Sequence, residues 1–488
     1  SLRKVLGAGR LALIRQYLGE SLLLGFFAFL LALLLVKAGL PLLNSMTGKA
    51  ISLQFARDWP VLGLFTGIFL IAGLLAGGYP AWFISRFQPV AGLKGLAGAP
   101  GGAWLRNLLT TGQFFVAIAL VAGTVIIYAQ LDYLKNFPLG FNKDNMLRVP
   151  LFSASMNSVF GRTDQNWRSK TLAFEEELLK NPAISGVTQS EGTPGSGGVR
   201  HNFTTDSIRA EDNLFVSAMA VDYDFTQVYG VQILAGRAFD KAFGTDHISG
   251  FLINEEAVKT FGWYTPENAL GKKINMEGRD GQVVGVFRDF HFSSLRDNML
   301  PLVLVASPDR FNTFSIRLQG GHFEEGRRYI QKAWTQFFPE KVFEPQFLSD
   351  NLDENYADEQ RLSEMIGYFA LMAILISCFG LFGLTTFTAY QKTREIGIRK
   401  VLGASIGSVL RVLTANYLKL LAIAFVLAAP LVWYGMDKWL RDYPFRIAIQ
   451  WWMLVGSGLF VVGIAVLAVG FQSIKAALAN PVRSLRSE

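Results

Sequence analysis

The chain has 488 residues, 51% of them apolar and only 17% charged, against roughly 25% charged in an ordinary soluble domain. That deficit argues against a purely soluble globular chain and against disorder, and a single cysteine excludes a disulfide framework or a cysteine-based zinc site. The net charge of +8 invites a nucleic-acid reading, but residues 131–362 hold 24 Lys+Arg against 31 Asp+Glu, so the basic excess lies wholly outside the one long polar stretch.

Taken in chain order, the sequence opens on a basic segment and then runs through six apolar stretches. The first is Tyr17–Val36, which carries Glu20 near its start. Trp59–Ser85 and Asn107–Leu131 follow, both free of charge, and then the polar stretch. Met365–Gln391 is again uncharged, Val412–Met436 carries Lys419, and Ile447–Ile474 closes the series. A bilayer needs about 20 mostly apolar residues, and buried core helices rarely run beyond about 14, so all six read as membrane spans. With the N-terminal end cytoplasmic, segments 1–15, 86–106, 392–411 and 475–488 hold 15 Lys+Arg and 2 acids, while the short outer loops 37–60 and 437–446 hold 6 and 3. This orientation satisfies the positive-inside bias and puts residues 131–362 outside.

That external stretch reads as mixed α and β. Trp167, Thr171, Phe174 and Leu178 share one helical face, as do Ile330, Ala333, Trp334 and Phe337. Strand candidates are Met146–Val149, Leu214–Val221 and Gln282–Val286, and Gly192–Gly198 reads as a flexible turn. Leu348, Leu352 and Tyr356 at i, i+4 and i+8 predict that the domain returns to the membrane as one rigid helix able to carry motion.

The sequence also repeats. Arg3-Lys4-Val5-Leu6-Gly7-Ala8 recurs as Arg399-Lys400-Val401-Leu402-Gly403-Ala404, each copy is followed by two spans, and each unit closes on a similar stretch, Gln88–Lys94 against Asn480–Arg486. The second unit has an additional span, the external domain and a further span ahead of its copy. The repeat therefore predicts an N-terminally truncated fragment of a chain in which about 290 residues precede Ser1.

Known catalytic constellations are missing from the sequence. Gly48-Lys49 and Gly271-Lys272 lack the upstream glycine and following hydroxyl of a phosphate loop. His201, His247, His291 and His322 are scattered, and Gly195-Ser196-Gly197 is not a nucleophile elbow. Asp289 and His291 read as a structural loop after a strand, Cys378 as a small buried hydrophobe, and Glu20 and Lys419 as interfacial charges. The expectation is a non-enzymatic chain with no catalytic, cofactor or metal residues. Gln391–Ser405, where charges alternate with Ile396, Ile398, Val401 and Leu402, is the segment that carries function, as a short cytoplasmic amphipathic helix on lipid or on a partner protein.

The string Arg394-Glu395-Ile396-Gly397-Ile398-Arg399-Lys400-Val401-Leu402-Gly403-Ala404 resembles the coupling region of the MacB/FtsX-like ABC transporter permeases. Ile253-Asn254-Glu255, Asn268–Lys272, Gly285–Phe292 with Ser294-Leu295, and the tail Ile474–Val482 extend the resemblance over essentially the whole chain. The resemblance implies an α-helical polytopic membrane protein with one α+β MacB-type periplasmic core, in the double-length form that fuses two repeats. Its domains are a coupling segment (1–16), the last two spans of the first repeat (17–85), a cytoplasmic linker (86–106), the first span of the second repeat (107–131), the core (132–362), three spans (363–472) that include a second coupling segment (391–408), and a tail (473–488). It implies further that Arg394, Glu395, Ile396, Gly397, Ile398, Arg399, Lys400, Leu402, Gly403 and Ala404, with Arg3, Lys4, Leu6, Gly7 and Ala8 in the first copy, face a separate ABC ATPase dimer that binds the ATP. The setting is the bacterial inner membrane, the expected partners are that ATPase, the lipid bilayer and a periplasmic adaptor or hydrolase, and nucleic acid is not among them. The implied function is efflux, export or lipoprotein release by mechanotransmission. The alternative is an FtsX-like scaffold that transports nothing and activates a periplasmic cell-wall hydrolase, and the large external domain favours transport.

Overall fold

The computed structural model describes residues 10–86 apart from 49 and 53–58, 101–151, 165–391 apart from 207, 213 and 355, and 406–477. Among these, six helices are long and apolar enough to cross a membrane. They are α1 (Arg10–Thr47), α2 (Trp59–Arg86), α3 (Gly101–Lys135), α9 (Ala357–Gln391), α10 (Ile406–Leu440) and α11 (Trp451–Ala477). Helix is the form such segments take because a hydrocarbon interior offers no outside partner to backbone N–H and C=O groups. Six spans were expected and six are present among the described residues, and each of the first five of these helices contains the whole apolar run that marked it, whereas α11 starts four residues inside its run.

The chain forms two compact units. One comprises residues up to Val125, Arg361–Val432 and Trp451 onward; the other comprises Ile126–Gln360 and Trp433–Gln450. In the first unit, Phe114, Ala117 and Ile118 of α3 share a buried cluster with Ile374 and Leu381 of α9, Tyr417, Leu421, Ala424 and Ala428 of α10, and Val461, Ala465 and Val469 of α11. The repeat has a physical counterpart here. The offset that aligns Arg3 with Arg399 sets Ser21, Gly25, Ala28 and Ala32 of α1 against Tyr417, Leu421, Ala424 and Ala428. Those four small residues line an apolar groove of about 680 Å3 between α1 and α2.

The second unit is built on two sheets. A four-stranded antiparallel sheet has the order β11 (Gln346–Phe347), β1 (Met146–Pro150), β10 (Thr313–Leu318), β2 (Ile184–Ser190). Its outer face packs Leu147, Val149, Phe314 and Ile316 against α4 (Gln165–Leu179) and α7 (Phe323–Phe337), which contribute Phe174, Leu178, Ile330 and Trp334. The seven-stranded sheet runs β5 (Ile233–Gly236), β8 (Arg279–Phe287), β6 (Gly250–Asn254), β9 (Leu302–Val305), β4 (Phe215–Ala220), β3 (Val199–Thr205), β7 (Lys273–Met276). Because β7 also pairs with β8, six of these strands close into a ring. The β7–β8 hairpin turns on Glu277 and Gly278, both at positive φ, as a two-residue hairpin matched to strand twist requires.

Period-two alternation divides the side chains of the ring between two cores. Val216, Ala218, Ala220, Phe251, Ile253, Val303 and Val305 join one cluster, to which α6 (Glu255–Thr260) adds Ala257 and Val258. Their strand neighbours Met219, Leu252, Leu302 and Leu304 join the other, which also holds Phe225, Val228 and Tyr229 of α5 (Phe225–Tyr229) and Met146 of the four-stranded sheet.

Both expected helical faces and all three strand candidates are present. Two expectations change. Leu348, Leu352 and Tyr356 are buried as their spacing requires, but α8 (Leu348–Glu354) ends before α9 begins at Ala357, so the return to the membrane is made by two helices and not one. The Gly192–Gly198 turn is fastened at two points, because the N–H groups of Gly195 and Gly197 both donate to the Phe292 carbonyl, at 2.9 and 2.8 Å.

Trp334 is 1% exposed and its indole N–H donates to the Lys341 carbonyl at 3.2 Å. Trp334→Ala is expected to destabilise the domain by about 3–5 kcal/mol, read as a lowered denaturation midpoint of the detergent-solubilised chain.

Candidate functional site

The residues expected to face an ATPase, Arg3–Ala8 and Arg394–Ala404, lie outside the described residues. What the second unit does bring together is a collar formed by four segments that are distant in sequence: the end of α3, the loop 288–297 after β8, the junction of α8 and α9, and residues 441–447 between α10 and α11.

Gln130 is fully buried near the end of the apolar α3. Its amide N–H donates to the Phe445 carbonyl at 2.9 Å, and its amide oxygen accepts the Ile447 N–H at 2.9 Å. One fully buried side chain thus satisfies its own donor and acceptor by pairing with a donor and an acceptor of an irregular, part-buried segment. Phe445, held by this clasp, packs between Phe137 (ring centroids 4.7 Å apart) and His291 (4.9 Å, 87° between planes). Burial pushes the His291 imidazole below its ordinary value, and the ring serves as an aromatic packing surface. The Leu139 carbonyl accepts the His291 N–H at 2.9 Å, and Gly140 lies at φ +83° against the Asp289 carbonyl, with no room for a Cβ.

Polar contacts complete the collar. Arg296 pairs with buried Glu359 and lies 5.8 Å from the centre of the Tyr443 ring. The Tyr356 hydroxyl accepts the Leu295 N–H at 3.2 Å. Lys135 lies 3.9 Å from Asp353 and 3.4 Å from Gln360. Asp289 accepts the Glu256 N–H, and its own N–H donates to Glu255, which is the structural role expected of this loop. The arrangement carries no acid–base pair aimed at a cleft. Its capacity is mechanical: it ties the ends of α3, α9 and α10 to one loop of the ring sheet.

A second polar cluster lies where the two sheets meet. Glu175, Asp222 and Asp224 each offer a carboxylate oxygen within 4.8 Å of the others, on a cavity of about 240 Å3 that Trp167, Tyr223 and Phe311 also line. These carboxyls have protein partners. Asp222 accepts from the Thr188 hydroxyl and from the N–H groups of Gln189 (2.6 Å) and Asp224 (3.2 Å). Glu175 accepts from the Gln189 amide at 2.8 Å, and Asp224 lies 3.5 Å from Lys241. Burial outweighs the three donors and pushes the Asp222 carboxyl up to about 8. Neither this cluster nor the collar was foreseen from the sequence. The one visible signal was Gln130, an amide near the outer end of a 25-residue uncharged run.

Two family models match the chain: the FtsX-like permease C-terminal over residues 1–89 and 367–481, and the MacB-like periplasmic core domain over residues 108–332. The ABC transporter permease YknZ of Bacillus subtilis is 23% identical over 333 residues, covering 64% of this chain and 83% of that one. The macrolide export ATP-binding/permease protein MacB of Neisseria meningitidis is 22% identical over 414 residues, covering 79% of this chain and 59% of that protein. Among solved structures, the periplasmic region of MacB from Actinobacillus actinomycetemcomitans aligns with 44% of this chain and 94% of its own length, at a TM-score of 0.32 and 14% identity.

Gln130→Leu removes both partners of the clasp while keeping an apolar side chain on α3. The expected outcome is faster hydrogen exchange at the Ile447 amide, by about tenfold or more, with the exchange of the distant four-stranded sheet unchanged. For Asp222, a carboxyl whose folded value is raised contributes stability that is full below its ordinary value and is lost as the pH rises through about 8. The unfolding midpoint of the wild-type chain should therefore fall between about pH 5 and about pH 9, and Asp222→Asn should flatten that slope.

Proposed function

Because the chain belongs to the MacB/FtsX-like ABC transporter permeases, we propose that it couples ATP hydrolysis on a separate ATPase dimer to rearrangement of its periplasmic core. It is a multi-pass inner-membrane protein, and its core lies on the periplasmic side. The observation that carries the proposal is the collar, in which Gln130, Arg296, Tyr356 and Glu359 join the ends of three spans to a single loop of the core. A displacement of α3, α9 or α10 would reach the ring sheet through hydrogen bonds and aromatic packing, without crossing a flexible linker.

On this reading Arg394–Ala404, with Arg3–Ala8 in the first repeat, form the basic and partly apolar surface that docks on the ATPase, in the way an amphipathic helix seats in a partner's groove. ATP is bound by that partner. The sequence of this chain offers no phosphate loop, whereas the Neisseria relative is by name both ATP-binding and permease. The transported class is that of the efflux, export and lipoprotein-release systems of the family.

Reconstitution of the permease with its ATPase in liposomes should give ATP-dependent extrusion or release of drugs, peptides or lipoproteins. Absence of any substrate movement, together with co-purification of a cell-wall hydrolase, would sink the export reading in favour of a signalling scaffold. Glu395→Ala and Arg399→Ala should each weaken co-purification of the ATPase, and retention of wild-type co-purification and ATPase stimulation in both would count against the docking role.

A further inference from the structure

The face of the four-stranded sheet that meets α5 is polar, which is unusual for a buried surface. Met146 pairs with Arg317, and Arg148 pairs with Ser315, across the β1–β10 ladder. Paired residues share a face, so Arg148 and Arg317 are diagonal neighbours on it, within reach of one another for side chains of this length. Ser315 is 1% exposed and accepts the Tyr229 hydroxyl at 2.7 Å. Gly186, beside Arg317 on β2, leaves room for Val228 of α5.

The two arginines are half-buried, and three of their nitrogens are fully buried without a partner among the described residues: Arg148 Nε, Arg317 Nε and Arg317 Nη2. No described carboxylate forms a salt bridge with either. Buried N–H groups are nearly always satisfied, and an orphan calls for an explanation such as a bound ion. The pattern at Arg317 is specific. Nε and Nη2 form the side-on edge of the guanidinium, the edge that takes a carboxylate or phosphate in paired hydrogen bonds. Arg310 uses this edge elsewhere in the same domain, with Nε at 3.2 Å and Nη2 at 2.7 Å from Glu191. At Arg317 the edge is formed and buried, and it has no hydrogen-bond acceptor among the described residues.

We propose that Arg317 and Arg148 form a binding site for a small oxyanion, a free carboxylate or phosphate group, between the four-stranded sheet and α5. The ligand would supply the acceptors that the guanidinium edge lacks. It would also neutralise two like charges on adjacent strands, which otherwise repel.

The test uses the full-length chain in nanodiscs. Calorimetric titrations with sodium phosphate and with sodium acetate are each compared with sodium chloride at matched ionic strength. The expected result is saturable binding of phosphate or acetate, with stronger phosphate binding assigning a phosphoryl ligand and stronger acetate binding a carboxylate. Arg317→Met and Arg148→Met should each weaken that binding by about tenfold or more. In chloride alone both variants should unfold at or above the wild-type temperature, because an unpaired buried cation has been removed; arginines serving only as scaffold would give the opposite shift. Arg317→Lys, which keeps the charge and loses the fork, should also bind more weakly and serves if Arg317→Met does not fold. No saturable binding of either anion, or undiminished binding in the variants, would overturn the site.

Discussion

Gln130 sits at a point where two demands conflict. The end of α3 must be apolar enough to belong to a spanning helix, and the part-buried segment that joins α10 to α11 must hold an irregular backbone against it. An irregular segment cannot supply its own hydrogen bonds, and a buried N–H or C=O without a partner costs about 1–3 kcal/mol. A single amide, which offers a donor and an acceptor together, meets both needs. Once the segment is held, Phe445 is fixed between Phe137 and His291, and Tyr443 is available to Arg296. The rest of the collar depends on that arrangement, since none of its other contacts pins residues 445–447 directly through the backbone.

The periplasmic core follows a different logic. Its ring sheet contributes to two apolar clusters, and a group of polar side chains gathers where the ring meets the four-stranded sheet. There Asp222 accepts hydrogen bonds from β2, while Arg148 and Arg317 line the same sheet face. Such a seam is less stable than an apolar one of equal size, because each buried charge or carboxyl must recover its lost hydration from local partners. The seam, where buried Asp222 has its carboxyl pushed up, is therefore the part of the core whose stability should depend on pH.

What could be read from the sequence follows from how local each signal is. Four of the spans were legible because 25 or more uncharged residues in a row have few other homes, and the other two because a single charge near the start leaves a run of about 20 apolar residues. The helices α4 and α7 were legible because Phe174 and Trp334 fall on one helical face each. The strands β6 and β9 were not, since Gly250–Asn254 and Leu302–Val305 are buried on both faces and show no alternation, and a short continuous apolar run is ambiguous between strand and helix. The break between α8 and α9 escaped the periodicity because Leu348, Leu352 and Tyr356 keep their spacing across it. The collar was invisible for another reason. Gln130 and Phe445 are separated by 315 residues, and nothing in either neighbourhood announces the other.

The division of β4, β6 and β9 between two cores also constrains how the length of this domain can change over generations. Insertion of one residue into β9 would exchange Leu302 and Leu304 with Val303 and Val305, sending the wider side chains into the ring and the narrower ones toward α5. Both cores would be mispacked by one event. A change of two residues restores the faces, and a change in a turn such as Glu277-Gly278 leaves them untouched. Length variation among descendants of this sequence should therefore collect in the turns and, within these three strands, come in pairs.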